Sequence, residues 1–232
     1  MPQALLDVVT LALGDVVGIF LFGSQVTGIV DDKSDIDVLV LAEGIACLHR
    51  RKISTPIGLL DVHLHSPASL SEALDKQCQH HVSFYTHALA TGQVVFDEAF
   101  HFSTLIAASK AIWPRRQVVP DWKVYRLALM AKLGDIRRRH EAPIGLLLAT
   151  DLYQTILAIE CLYLRGWLGS APLMRLWCAQ ERPYSIERLD AALSTAVEGD
   201  PAALTRIAES WLIRIGGPLA SEEQLIWNGL AA

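Results

Sequence analysis

The chain has 232 residues, of which 52% are hydrophobic and 19% charged, and a formal net charge of −5. That length makes one large or two ordinary domains, and the composition supplies a packed core rather than a disordered polymer. The acidic balance argues against extended, sequence-blind binding to nucleic acid, where a basic footprint is expected, while leaving a nucleotide open as substrate.

Residues 3–13, rich in Leu, Val and Ala, predict a helix closed near Gly14, and Val16 to Phe22 predicts a buried strand. The apolar run over residues 4–22 is not read as a membrane span. Asp7 and Asp15 interrupt it, each costing about 2.5–3.5 kcal/mol at a bilayer centre. The expectation is a soluble, cytoplasmic chain with no membrane partner. Gly23-Ser24 ends the strand, and a short helical or looped segment runs to Asp32. Asp35 to Leu41 alternates acid and apolar residues, a strand with both acids on one face. A polar helix is expected over 43–53, a turn at Thr55-Pro56 and a third strand over Ile57 to His65. Ser66-Pro67 opens another helix; residues 80–90 are expected to be helical, and Val94 to Phe96 forms a short strand.

After about residue 102 the strand signals stop. Helices are expected over 103–112, 121–139, 144–165, 171–180, 185–197, 200–214 and 220–228. The fold class is therefore α+β: a mixed sheet flanked by helices in residues 1–112, then an all-helical domain in residues 120–232. Cys47, Cys78, Cys161 and Cys178 form no CxxC pair and read as reduced, mostly buried thiols.

The chemistry concentrates in the first domain. Asp35 and Asp37 crowd two like charges on one strand face, so something must hold them ionised, and a divalent cation with a taste for hard oxygen, such as magnesium, does this. Asp61 sits mid-strand in an apolar run, where an unpaired carboxylate is costly. If its strand lies beside that of Asp35, the three acids can hold two metal ions across a phosphoryl group. Gly23-Ser24 offers backbone N–H groups and a hydroxyl to an anion, with no Cβ in the way at Gly23. Taken singly, an Asp-x-Asp strand or a Gly-Ser turn is commonplace; their conjunction with Asp61 is specific.

Leu21-Phe22-Gly23-Ser24, Ser34 to Val40 and Leu60-Asp61-Val62 together resemble the DNA polymerase β-like nucleotidyltransferase superfamily. Leu89 to Asp97 looks like the last helix-to-strand element of its small bacterial members. The resemblance implies that Asp35 and Asp37 bind two Mg2+ ions and that Asp61 binds the catalytic metal or assists deprotonation of the acceptor. It implies that Gly23 and Ser24 hold the β- and γ-phosphates of a nucleoside triphosphate, with ATP as donor. A hydroxyl of the acceptor then attacks the α-phosphorus and pyrophosphate leaves. The second half, at Tyr163 to Leu168, resembles more loosely the helical domains of antibiotic nucleotidyltransferases, implying a small aminoglycoside-like acceptor in a cleft between the domains. Two other readings stand beside it. One is transfer of AMP to a protein partner, as in toxin-neutralising members; the other is a non-catalytic nucleotide- or partner-binding module. One departure matters: Gln25 follows the Gly-Ser where many small members have a basic residue, so the phosphate-binding cation must come from elsewhere.

Four further residues are candidates for the cleft. Lys123 and Arg126 share a helix face and either reach the triphosphate or are simply solvated. Glu160, an acid in an apolar helical run, is either a general base or half of a buried pair with an arginine. His63 shares the strand face of Asp61 with His65; the two read as cleft or rim residues rather than zinc ligands.

Overall fold

The computed structural model describes residues 2–27, 34–45, 49–113, 119–141 and 143–220. The chain divides into two compact units, Met1–Arg116 and Gln117–Ala232.

In the first unit the order is α1 (Pro2–Leu13), β1 (Gly18–Phe22), α2 (Ser24–Thr27), β2 (Ile36–Leu41), β3 (His49–Thr55), β4 (Gly58–His65), α3 (Pro67–Gln79), α4 (Phe84–Thr91), β5 (Gln93–Asp97) and α5 (His101–Ile112). The five strands form one mixed sheet in the order β3-β4-β2-β1-β5. Only β2 and β4 run parallel, with Ile36 opposite Leu60, Asp37 opposite Asp61 and Leu39 opposite His63. The side chains alternate between the two faces. Ile19, Leu21, Val38, Val40, Leu60 and Val62 join Leu5 and Val9 of α1 in one core. Phe20, Phe22, Leu39 and Leu41 join Leu70, Tyr85, Leu89 and Phe102 of α3, α4 and α5 in the other. Both faces are covered, so β1 and β2 are apolar but for Asp37, while β4 carries Asp61, His63 and His65 on one face.

Local chemistry fixes the element ends. Ser66 caps α3 by accepting from Ser69 N at 3.1 Å, and Ser69 Oγ accepts in return from Ser66 N at 3.0 Å, with Pro67 in the first turn. Asp97 accepts from His101 N and Phe102 N at 2.8 and 3.0 Å and so starts α5. The predicted polar helix over 43–53 is corrected here. His49–Thr55 is an edge strand, antiparallel to β4, with Thr55 opposite Gly58 across a two-residue turn. It is held by its ladder to β4 and by ion pairs rather than by burial, since six of its seven residues other than Ile53 are polar or charged and most are exposed. The helix expected over 80–90 starts only at Phe84, because His81 takes a left-handed φ of 59°.

The second unit is all-helical in the described residues: α6 (Trp122–Arg138), α7 (Ile144–Arg165), α8 (Ala171–Glu181), α9 (Pro183–Val197) and α10 (Ala202–Arg214). By length and composition α7 could cross a membrane. In this fold it is the central helix, packed against α6, α8, α9 and α10, and eleven of its residues are buried. Its apolar character is thus explained by the core. Cys78, Cys161 and Cys178 are free thiols; Cys47 lies outside the described residues, as does all but the first residue of the helix expected over 220–228.

Candidate active site

The parallel ladder between β2 and β4 brings Asp37 and Asp61 to the same level of adjacent strands, and Asp35 lies two residues before Asp37 on the approach to β2. Gly23, at the end of β1, closes the third side. Its φ of +75° suits glycine, and a Cβ there would overlap Asp37 Oδ2 and stand 2.9 Å from Asp37 Cγ. The bare backbone of the Gly-Ser turn is therefore what lets the Asp37 carboxylate sit where it does.

Two cations that sequence patterning missed complete the site. Arg50 on β3 grips Asp61 in a bidentate pair, Nε to Oδ1 at 2.9 Å and Nη2 to Oδ2 at 2.6 Å. Lys52, two residues on, pairs with Asp35. Because β3 alternates like any strand, residues 50 and 52 share a face, and the antiparallel register sets Lys52 opposite Asp61. The signal available beforehand was the run His49-Arg50-Arg51-Lys52; read with a helical period it says nothing about the acids.

These pairs divide the three carboxylates. Arg50 holds the Asp61 carboxyl below its usual range by hydrogen bonding. Asp37 is pushed up to about 6, first by burial and then by the charges of Asp61 and Asp35. It has no ion-pair partner among the described residues. The expectation that the three acids close on one point is not met in this arrangement. Among the described residues no three of His, Cys, Asp and Glu converge closely enough to hold a metal ion. Both Asp61 oxygens are occupied by Arg50. What the donor set does fit is a cation at Asp37: a hard-oxygen ligand whose proton affinity is raised by unbalanced negative neighbours.

Replacing Arg50 by Met strands an Asp61 that is only 2% exposed. We expect a loss of about 2 kcal/mol in urea unfolding at pH 7. In the wild type the depressed Asp61 value contributes stability above its ordinary 3.8, lost as the pH falls through the folded value. The gap between the two proteins therefore narrows below about pH 4.

His63 is buried, not on a rim. Its Nε2 is 3.9 Å from Asp61 Oδ1, its Nδ1 has no partner, and it packs among Phe22, Phe84 and Tyr85. Burial lowers its pKa, so it faces Asp61 as a neutral ring. His65 bonds Ser69 Oγ at 3.1 Å and Tyr85 Oη at 2.7 Å, tying β4 to α3 and α4. Burial first, and His63 second, push its pKa down to about 4 from 6.5. The unfolded chain thus takes up this proton first as the pH falls. Stability is full above pH 6.5 and declines down to about 4, by on the order of 3 kcal/mol. We expect His65→Gln to flatten that slope in unfolding experiments at a series of pH values.

The remaining candidates lie in the second unit. Arg126 donates to the carbonyls of Gly217 and Pro218 at 2.6 and 3.1 Å, so it ties α6 to the segment after α10. Lys123 stands in the first turn of α6, whose start Asp121 caps. Glu160 is 1% exposed inside the helical core, and its Oε1 has no partner. No arginine is paired with it among the described residues.

Residues 3–86, from α1 to the start of α4, match the family model of the nucleotidyltransferase domain. Over those residues the chain is similar to the nucleotidyltransferase domain. That match contains Gly23, Ser24, Asp35, Asp37, Arg50, Lys52 and Asp61. No curated protein matches the chain in sequence. Among solved structures, a nucleotidyltransferase-like protein from Exiguobacterium sibiricum is 14% identical, with 93% of this chain and 77% of that one covered and a TM-score of 0.48. A spectinomycin adenyltransferase from Enterococcus faecialis, solved with ATP and spectinomycin, is 14% identical over 92% of this chain and 97% of its own, with a TM-score of 0.35. A toxin-antitoxin complex with AMP-PNP is 17% identical over 57% of this chain and 98% of its own, with a TM-score of 0.30. Likeness at this level carries nothing about the site of the nucleotidyltransferase domain, whose reading rests on its own geometry.

Proposed function

We propose that the protein is a cytoplasmic, magnesium-dependent enzyme that transfers a nucleoside monophosphate, AMP from ATP, to a hydroxyl of a small acceptor. The observation that carries this reading is the pairing of Asp37 with Asp61 across β2 and β4, beside the cramped Gly23 turn. Asp35 and Asp37 would hold magnesium, with Asp61 across the ladder, and the metal supplies charge neutralisation to the triphosphate and its leaving group.

The chain's own residues do the rest. Gly23 and Ser24 lie beside the carboxylates and offer backbone and hydroxyl to the β- and γ-phosphates. Arg50 and Lys52 are the cations that Gln25 does not provide. In this arrangement they neutralise Asp61 and Asp35, and on nucleotide binding they exchange those partners for phosphate oxygens, for which the guanidinium fork is well shaped. Arg50 holds Asp61 ionised, and the burial and neighbouring charges that raise Asp37 to about 6 are what a bound cation would offset. The helical unit is the acceptor-binding part on this reading, with Lys123 as a candidate phosphate contact. Glu160 serves as a base only if the core around it opens.

Pyrophosphate release is the direct assay: four nucleoside triphosphates with magnesium, against aminoglycosides, other hydroxylated metabolites and a protein extract. Release with ATP and a small acceptor supports the proposal. A mass gain of one AMP on a protein would replace it with protein AMP-transfer. Tight ATP binding with no turnover on any acceptor would replace it with a binding module.

A further inference from the structure

Helices α9 and α10 pack against each other in the second unit, and along their shared edge the residues are small. Ala191, Ala192 and Thr195 on α9 face Ala203, Ile207 and Ser210 on α10. Where two helices usually interlock bulky side chains, this edge leaves a trough of about 550 Å3. That is within the size range of small-molecule sites.

The rim of the trough is charged with one sign. Arg182, Arg188, Arg206 and Arg214 all line it, and the lining holds no acid. Asp190 of α9 is engaged with Arg175 and Tyr153, and Glu209 of α10 with Arg137. None of the four arginines forms an ion pair among the described residues. In a chain of net charge −5, a one-sign cluster of this kind is not an accident of composition.

Two of the four are also held in place. Arg182 and Arg214 lie over the Tyr163 ring at 5.7 and 5.6 Å, and Arg214 over Trp211 at 4.9 Å. Stacking uses the flat face of a guanidinium and leaves the in-plane N–H donors for an oxyanion.

We propose that the groove between α9 and α10 binds a small ligand carrying two or more phosphate groups, held by Arg182, Arg188, Arg206 and Arg214. The groove lies wholly in the helical unit, whereas the carboxylates of the nucleotidyltransferase domain lie in the first, so the two can be tested apart. Ser210 adds a hydroxyl to the lining, whereas the Thr195 hydroxyl donates to Ala192 O at 3.1 Å.

Inorganic tripolyphosphate is the probe, titrated calorimetrically into the full chain in EDTA, where the aspartates repel an anion instead of recruiting it through metal. The wild type is expected to bind it, more weakly as salt is raised. The double variant Arg188→Ala/Arg206→Ala, at two exposed positions, is expected to bind at least about tenfold more weakly with an unchanged thermal melt; truncation at one partner of such charge-assisted bonds typically costs this much or more. Asp35→Asn/Asp37→Asn is expected to bind it as the wild type does. No binding by the wild type, equal binding by the arginine double variant, or loss of binding only in the aspartate variant would each overturn the proposal. So would an oligonucleotide that displaces the probe with an affinity rising with its length, which would make the groove part of a nucleic-acid surface.

Discussion

Asp37→Asn is expected to abolish transfer and at the same time to make the protein more stable at pH 7. Activity should fall by on the order of 10³-fold, the scale seen when a preorganised group for the developing charge is lost. The stability gain follows from linkage. Asp37 has a folded value near 6 against an ordinary 3.8, so the folded chain keeps a proton longer than the unfolded chain. Its contribution is intact below about pH 4 and is lost as the pH rises through 6. At pH 7 the ionised carboxylate, partly buried beside Asp35 and Asp61, therefore costs stability, by about 1–3 kcal/mol once solvent screening is allowed for. Asparagine removes the charge and keeps the shape. Urea unfolding in EDTA at pH 4 and pH 7 reads this out: the variant gains at pH 7 and not at pH 4. An inactive variant that is also less stable at pH 7 would mean that Asp37 is structural.

Gly23→Ala carries the second large effect. The new Cβ meets the Asp37 carboxylate, and the backbone φ of +75° disfavours any L side chain. The clash is with the acid itself, so relief requires moving either the turn or Asp37. We expect a destabilisation of about 1–3 kcal/mol and, more tellingly, loss of transfer even where the protein remains folded. The double variant Gly23→Ala/Asp37→Ala, which removes the obstacle, should recover much of the stability and none of the activity. Additive losses in that double variant would deny the contact.

The parts of this fold that were legible beforehand are those that burial writes into the sequence. Strands β1 and β2 are almost wholly apolar and β4 is apolar on one face, because helices cover them, and an acid in such a strand has to have a reason. Asp61 stands out that way from the sequence alone, and its strand lies beside that of Asp37. The strand β3 was not legible because nothing buries it. His49 to Lys52 are polar, and only pairing with β4 makes them a strand, so a reading based on hydrophobic period assigned a helix. Arg50 and Lys52 were lost with it. They come from an element that hydrophobic patterning does not show, and on the proposed function they replace the cation that Gln25 lacks. His63 shows the converse limit: strand alternation set it on the face of Asp61, but that the face is covered there by Phe22, Phe84 and Tyr85 depends on the packing of α4, which no local pattern reports.

The proposed role of Asp37, opposite Asp61, is to serve nucleotidyl transfer. It is tested most directly by supplying ATP labelled at the α-phosphate, with magnesium and a panel of hydroxylated acceptors, to the wild type and Asp37→Asn side by side. Label is expected on one acceptor, with one pyrophosphate released per label, in the wild type alone. Equal labelling by Asp37→Asn, or no labelling by a wild type shown to bind ATP, would contradict it.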